Sequence, residues 1–89
     1  MLEREITISN KLGLHARASA KLVQTLHGYQ SSVFMGYRGK EVNAKSIMGV
    51  MMLAAGLGAI LTLRADGSDE EDAMNALVDL FERKFDEGQ

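Results

Sequence analysis

Alternating apolar and polar residues begin the chain, as in a strand with one buried face. In residues 3–9 the alternation ends on Ile6 and Ile8, and we expect both isoleucines to point into the core. Residues 10–13 have the composition of a turn. The pattern therefore predicts a half-buried strand followed by a tight turn.

Helical spacing replaces the alternation in residues 16–27, and Gly28 is a natural stop. Residues 32–35 and 40–43 then flank a turn at residues 37–39, which predicts a hairpin of two strands. The residues expected on the buried stripe of the helix are Ala16, Ala20 and Val23, with Leu22 and Leu26 beside them.

A short helix and a further strand are predicted in the second half of the chain. Ser46 is a suitable N-cap for a helix over residues 47–54, which Gly56 ends. Residues 59–65 alternate again, which predicts a strand. The residues of this strand expected to be buried are Leu61 and Leu63.

The last helix has a clear start signal. After a turn at residues 66–67, Ser68 and Glu71 have the spacing of a capping box. The helix is predicted to run to about residue 85. Its expected buried stripe consists of Ala73, Leu77, Leu80, Phe81 and Phe85.

The predicted order of elements is β-α-β-β-α-β-α. Four strands and three helices in one small chain favour an α+β fold, an antiparallel sheet with the helices on one face. The length fits a single domain, residues 1–89. A chain this short buries only about 60–65% of its unfolded surface, so we expect an exposed functional site rather than a deep pocket.

Composition excludes several classes of function. The chain has no cysteine, so it has neither a disulfide framework nor a thiolate metal site. It lacks an apolar run of the roughly 18 residues in a membrane helix, and its first residues lack the order of a signal peptide. Aromatic residues are only 6% of the chain and basic residues are scattered, which disfavours nucleic-acid binding. We expect a cytoplasmic monomer that binds neither membrane nor nucleic acid.

Charge is distributed unevenly along the chain. Residues 1–65 contain eight Lys or Arg and three Asp or Glu, a balance of +5. Residues 66–89 contain two basic and nine acidic residues, a balance of −7. One interpretation is two differently solvated faces. The other is a basic surface, including His15 and Arg17, that meets phosphate or an acidic partner.

His15 is the strongest candidate for chemistry, because it stands where the extended pattern becomes helical. At or next to the N-cap, it lies beside the backbone N–H groups of Ala16, Arg17 and Ala18, which have no acceptor within a helix. These groups and the helix dipole favour a phosphoryl anion, and the Arg17 guanidinium can add a charge-assisted hydrogen bond. A neutral ring nitrogen is a competent nucleophile near neutral pH. The site therefore suits an imidazole that carries a phosphoryl group.

Spacing alone is also compatible with a surface histidine at a helix start that has no chemical role. His15 and His27 are twelve residues apart, not the i, i+4 pair of a metal site on one helix face. His27, near a helix C-terminus, fits a surface or capping histidine. We expect neither a metal nor a cofactor.

Two segments resemble the two signatures of HPr, the histidine-containing phosphocarrier of the phosphoenolpyruvate-dependent phosphotransferase system. They are residues 10–17, Asn-Lys-Leu-Gly-Leu-His-Ala-Arg, and residues 45–51, Lys-Ser-Ile-Met-Gly-Val-Met. The resemblance covers nearly the whole chain and includes the nitrogen-related branch, NPr. It implies an open-faced β-sandwich, with four antiparallel strands and three helices on one side. Ala18 is a departure, because the family usually has proline there.

The resemblance also implies a function. Enzyme I would phosphorylate the Nδ1 atom of His15, with Arg17 as the active-site arginine, and the group would pass to a IIA domain. The protein would then be a stoichiometric carrier and not an autonomous enzyme. Ser46 matches the serine that HPr kinase/phosphorylase modifies in some bacteria. The residues that would contribute to a docking surface on the first two helices are Ala20, Lys21, Ile47, Met48 and Met51.

The short helix is apolar nearly all round, so it is either fully buried or an exposed contact patch. A small open-faced domain cannot cover every side, and methionines suit a surface that fits several partners. We therefore expect a contact patch. Two alternative functions remain: a regulatory binding module acting through Ser46 and helix 47–54, and a structural domain in which His15 is incidental.

Overall fold

The computed structural model of the protein describes residues 1–87, and its elements follow the predicted order. One antiparallel sheet has the strand order β1-β4-β2-β3. The helices pack on one face of this sheet, which confirms the open-faced β-sandwich. The predicted domain, residues 1–89, extends two residues beyond the described part. The elements are β1 (Leu2–Thr7), α1 (Ala16–Leu26), β2 (Ser32–Tyr37), β3 (Lys40–Asn43), α2 (Ile47–Met52), β4 (Ile60–Asp66) and α3 (Glu70–Glu82).

The two faces of the sheet follow the alternation in the sequence. Leu61 and Leu63 of β4 are fully buried under the helices, as predicted, and Met35 of β2 pairs with Leu63 in the same layer. On the opposite face Arg64 pairs with Glu3 of β1 and Phe34 of β2. This face carries no helix among residues 1–87, so charged side chains lie there in contact with solvent.

The predicted core of the last helix is confirmed, because Phe81 and Phe85 are buried and their rings meet edge to face, with centroids 5.0 Å apart. Ile8 is also buried, although it follows the end of β1, while Ile6 is half-buried against the core.

No helix within residues 1–87 has the length and apolar character needed to cross a membrane.

The predicted buried stripe of α1 is wrong at two positions. Ala16 is exposed and Ala20 is only half-buried. Leucine has far more apolar surface than alanine, so the leucines determine which side of the helix faces the core. Ser19 shares the buried side because its hydroxyl donates to the Leu14 carbonyl at 3.2 Å. The buried residues of α1 are Ala18, Ser19, Leu22, Val23 and Leu26.

The predicted capping box at Ser68 and Glu71 is also wrong. The N-cap of α3 is Asp69, whose carboxylate makes no cap hydrogen bond. It accepts instead the N–H groups of Gln30 and Ser31, at 2.8 and 2.9 Å, and the Ser31 hydroxyl. These bonds lower the pKa of Asp69, and the bond from the Ser31 hydroxyl has the largest effect. A tertiary contact to the start of β2 has displaced the local cap.

Two helices end earlier than predicted, and in both cases the cause is a left-handed backbone after the helix. Helix α2 ends at Met52 rather than 54, because Ala54 has a φ of 53°. Helix α3 ends at Glu82 rather than 85, and a 3₁₀ turn follows at Lys84–Asp86, with φ of 55°, 54° and 60°. Such a backbone costs about 1–2 kcal/mol for each non-glycine residue. Burial of the Phe85 side chain offsets this cost, and the turn directs the chain back toward the start of α1.

Candidate functional site

His15 is the N-cap of α1, as predicted. Its φ of −72° and ψ of 177° are extended, and its side chain caps no backbone group. The first bond of the helix runs from the Ser19 N–H to the His15 carbonyl at 2.9 Å. The N–H groups of residues 16–18 therefore have no acceptor in the helix. The imidazole, 27% exposed, lies at the edge of this cluster of donors.

The turn before His15 is fixed by close packing against the loop that follows α2. The Leu14 N–H donates to the Ala55 carbonyl at 3.0 Å. Gly13 has a φ of +64°, and a Cβ atom there would lie 2.6 Å from that same carbonyl oxygen. Asn10 closes the turn, because its Nδ2 donates to the Gly13 carbonyl at 2.9 Å. These contacts determine where α1 begins.

Glu87 belongs to the site, although no pattern in the sequence pointed to it. One of its carboxylate oxygens contacts Nε2 of His15, and the other accepts Nδ2 of Asn10 at 3.2 Å. Burial alone would raise the pKa of Glu87, but the hydrogen bonds from His15 and Asn10 outweigh burial and lower it. Glu87 is therefore ionised at neutral pH. An ionised carboxylate only accepts hydrogen bonds, so in a neutral imidazole the proton is on Nε2 and the free lone pair is on Nδ1.

Two cations lie beside the imidazole. Lys21 fixes the C-terminal turn, since its Nζ donates to the Phe85 carbonyl at 3.1 Å and to Asp86 at 3.3 Å. The bond from Lys21 lowers the pKa of Asp86. Arg17 is exposed and makes no ion pair with another residue of the described chain, 1–87. The depression is lined by Leu12, His15, Arg17, Lys21, Phe85, Asp86 and Glu87.

At this site the basic and acidic parts of the sequence lie side by side. Arg17 and Lys21 come from the basic part of the chain, whereas Asp86 and Glu87 come from the acidic part. The acidic C-terminal turn is folded onto the basic surface, so neither interpretation from the sequence describes the site completely. The carboxylates bind the ring nitrogen and Lys21, which leaves the guanidinium and the helix N–H groups available to an anion.

Ser46 is the N-cap of α2, as predicted, and its Oγ accepts the Gly49 N–H at 3.1 Å. Within α2, Val50 is buried, and the following Leu53 is buried as well. The other large side chains of the helix are exposed, so the helix is not fully buried, as expected. The methionine patch consists of Ile47, Met48, Met51 and Met52, exposed by 43%, 69%, 40% and 66%.

The remaining candidate residues, His27, Ala20 and Lys21, all lie on or at the end of α1. His27 is the exposed C-cap of α1, and its N–H donates to the Val23 carbonyl at 3.0 Å. Ala20 and Lys21 are half-buried on α1, and the Lys21 ammonium is bound to the C-terminal turn. Residues 1–87 contain no group of three or more His, Cys, Asp or Glu side chains that could hold a metal ion.

We expect Ala18→Pro to fold and to keep its capacity for phosphorylation. Ala18 is in the first turn of α1, where its N–H is not needed by the helix, and proline is tolerated there. Thermal unfolding and phosphate incorporation measure the two properties. Loss of both would show that α1 does not begin at residue 16.

Known proteins match this chain over nearly its whole length. The family described as the PTS HPr component phosphorylation site matches residues 2–83. The phosphocarrier protein HPr of Xylella fastidiosa is 60% identical over 87 residues, which are 98% of each chain. These matches, the fold and the site together define a small phosphocarrier protein. The chain belongs to the HPr family of the phosphotransferase system.

Two solved structures agree with the fold. The crystal structure of HPr-C-His from Thermoanaerobacter tengcongensis has a TM-score of 0.94 and 50% identity, and the match covers 98% of both chains. A crystal structure of an HPr dimer from the same organism has a TM-score of 0.77 and 50% identity, covering 96% of this chain and 98% of that one. Glu87 follows the end of the family match at residue 83, so the match does not reach the carboxylate that binds His15.

Proposed function

We propose that this protein accepts a phosphoryl group from phosphorylated enzyme I on Nδ1 of His15 and passes it to a IIA domain. It acts as a stoichiometric carrier in the cytoplasm, not as an autonomous enzyme. The observation that carries the proposal is the position of His15 at the N-cap of α1, beside three N–H groups without a helical acceptor. Membership of the HPr family supports the same chemistry.

Each site residue has its own role in the transfer of the phosphoryl group. The lone pair of Nδ1 forms the bond to phosphorus while the bond from phosphorus to the donor atom of enzyme I breaks. The ring becomes more positive, and the Glu87 carboxylate on Nε2 stabilises that charge. The phosphoryl oxygens accept the N–H groups of residues 16–18 and the guanidinium of Arg17. Transfer to a IIA domain reverses these steps.

The direct test is incubation with phosphoenolpyruvate and enzyme I, followed by mass spectrometry of the intact chain. We expect one added phosphate that is lost in acid, as phosphohistidine is, and lost again when a IIA acceptor is added. Acceptors of the carbohydrate and nitrogen branches are compared in parallel. An unmodified chain would contradict the carrier function. A label on Ser46 alone, from an ATP-dependent kinase, would favour the regulatory module.

The oligomeric state needs its own measurement. We propose a monomer, while a relative at 50% identity has been crystallised as an HPr dimer. Light scattering over a range of concentrations distinguishes the two states, and a constant dimer mass would contradict the monomer.

Glu87 is expected to act as a positioning residue for His15. Its replacement by alanine removes the acceptor of Nε2, so phosphorylation of His15 should slow about tenfold, by analogy with the loss of the partner that orients a metal-ligating histidine. Rapid-quench measurement of phosphate transfer from enzyme I gives the rate. Glu82→Ala removes an equal charge from an exposed position of α3 and is the matched control. Equal rates in the two variants would rule out this role.

We propose that Ser46 is a regulatory site, with HPr kinase/phosphorylase as the partner in bacteria that have it. The Ser46 side chain starts the helix that carries the methionine patch, so a phosphate there would place negative charge beside that surface. The fold should tolerate the charge, since acidic groups are favoured at helix N-termini.

Ser46→Asp is therefore expected to fold normally and to raise the KM of enzyme I for this protein about tenfold. Leaving a polar group buried without a partner in an interface costs about 1–3 kcal/mol, and a charged group costs more. Ser46→Asn keeps a good N-cap without the charge and serves as the control. If the KM is the same for both variants, charge at Ser46 does not regulate docking.

A further inference from the structure

The methionine patch has reactive groups that phosphoryl transfer does not use. Met48, Met51 and Met52 are exposed by 69%, 40% and 66%. Met48 is three and four residues before the other two, so the three thioethers share one face of α2. Two other methionines, Met35 and Met74, are only 0% and 2% exposed in the core. The structure thus separates accessible from inaccessible sulfur atoms within one chain.

Contacts on this surface depend on apolar side chains. Residues 46–63 contain no charged residue, so the patch has no charge of its own with which to hold a partner. The loop after α2 is also held against the turn before His15 by the bond from Leu14 to Ala55. A polar group introduced on the patch therefore changes the surface of a helix whose following loop packs against the turn before His15.

We propose that Met48, Met51 and Met52 form a site of reversible oxidation by hydroperoxides, at which sulfoxide formation weakens docking of enzyme I. The inference rests on the proposed function and on the docking role that the resemblance to HPr implies for Met48 and Met51. Sulfoxide formation makes an apolar side chain polar and disrupts methionine-rich interfaces.

The chemistry balances with a hydroperoxide as the only oxidant. The thioether sulfur attacks one peroxide oxygen, an S–O bond forms and the O–O bond breaks. The sulfur loses two electrons, and the proton of the attacked oxygen moves to the leaving hydroxide or alkoxide, which departs as water from hydrogen peroxide or as an alcohol from an organic hydroperoxide. A methionine sulfoxide reductase reverses the change with two thiols, which become a disulfide while the oxygen leaves as water.

The test treats the full chain with hydrogen peroxide and maps each methionine by mass spectrometry of peptides. We expect Met48 and Met52 to be oxidised first, Met51 more slowly, and Met35 and Met74 only after unfolding. The KM of enzyme I for the oxidised protein should rise about tenfold, because an unpaired sulfoxide oxygen is costly to bury. Methionine sulfoxide reductase should restore the original KM. Circular dichroism confirms that the fold is retained.

The triple variant Met48→Leu/Met51→Leu/Met52→Leu is the matched control, because leucine and methionine are similar in volume. Its exposed methionine is Met1, 64% exposed and outside the patch. Each protein is compared with its own reduced form, and the KM of the variant should not respond to peroxide. If the KM rises equally in both proteins, or does not rise in a chain oxidised at the patch, the oxidation inference is wrong, while the proposed function stands. A reduced protein that accepts no phosphate on His15 would overturn the proposed function together with it.

Discussion

Phosphorylation by enzyme I is expected to disappear completely when His15 is replaced by alanine and to persist when His27 is replaced. The chain has only these two histidines, so the pair of variants assigns the phosphohistidine without ambiguity. His15 has the anion-binding donors of a helix start beside it, whereas His27 stands at a helix end, where the dipole disfavours an anion.

Mass spectrometry of the intact variants, before and after acid treatment, measures this result. The His15→Ala chain should remain folded, because the imidazole is a partly exposed side chain outside the core, and Glu87 keeps its bond to Asn10. A melting temperature close to that of the wild type verifies that phosphate is lost for a chemical reason. An acid-labile phosphate in His15→Ala would place the carrier nitrogen on His27.

Gly13→Ala is expected to destabilise the fold by about 2–5 kcal/mol and to slow phosphorylation of His15. The left-handed backbone at Gly13 costs an alanine about 1–2 kcal/mol. Its Cβ would lie 2.6 Å from both the Ala55 oxygen and the Gly56 Cα, and relieving such a contact costs about 1–3 kcal/mol more. Since these are backbone atoms, the turn must move, and His15 moves with it.

Gly39→Ala is the matched control for this variant. Gly39 also has a left-handed backbone, with a φ of +81°, but a Cβ there would have no atom within 4 Å. It lies in the hairpin turn between β2 and β3, outside the phosphoryl site. Urea unfolding gives the two free energies, and rapid-quench kinetics gives the two rates. Similar values for both variants would show that the contact with the α2 loop does not position His15.

Much of the fold was predictable because its signals are local. The periodicity of residues 16–27 and the cap at Ser46 depend on neighbours within one turn of helix, and both helices begin where predicted. His15 at the N-cap is another local feature, which the structure confirms. The exposure of the methionine patch followed from a simple argument about area, because a small domain cannot cover an apolar helix on all sides.

Local rules failed where distant groups competed with them. The Asp69 carboxylate binds the start of β2 instead of capping its own helix, although Ser68 and Glu71 had the right spacing. The rotation of α1 depends on which side chains fill the core, so the small residues Ala16 and Ala20 were assigned to the wrong side. In both cases the competing partner lies far away in the sequence.

The sequence by itself determined the order of elements and the helix start at His15, and it placed a cation, Arg17, two residues further on, because each depends on short-range spacing and on residue type. Only the tertiary structure decided that Glu87, 72 residues from His15, binds its Nε2, which leaves Nδ1 as the nitrogen for the proposed phosphoryl transfer. That contact requires the left-handed turn at Lys84–Asp86 and its bonds to Lys21. No local pattern encodes such a turn, because its cost is offset by burial of Phe85 in a core built from the whole chain.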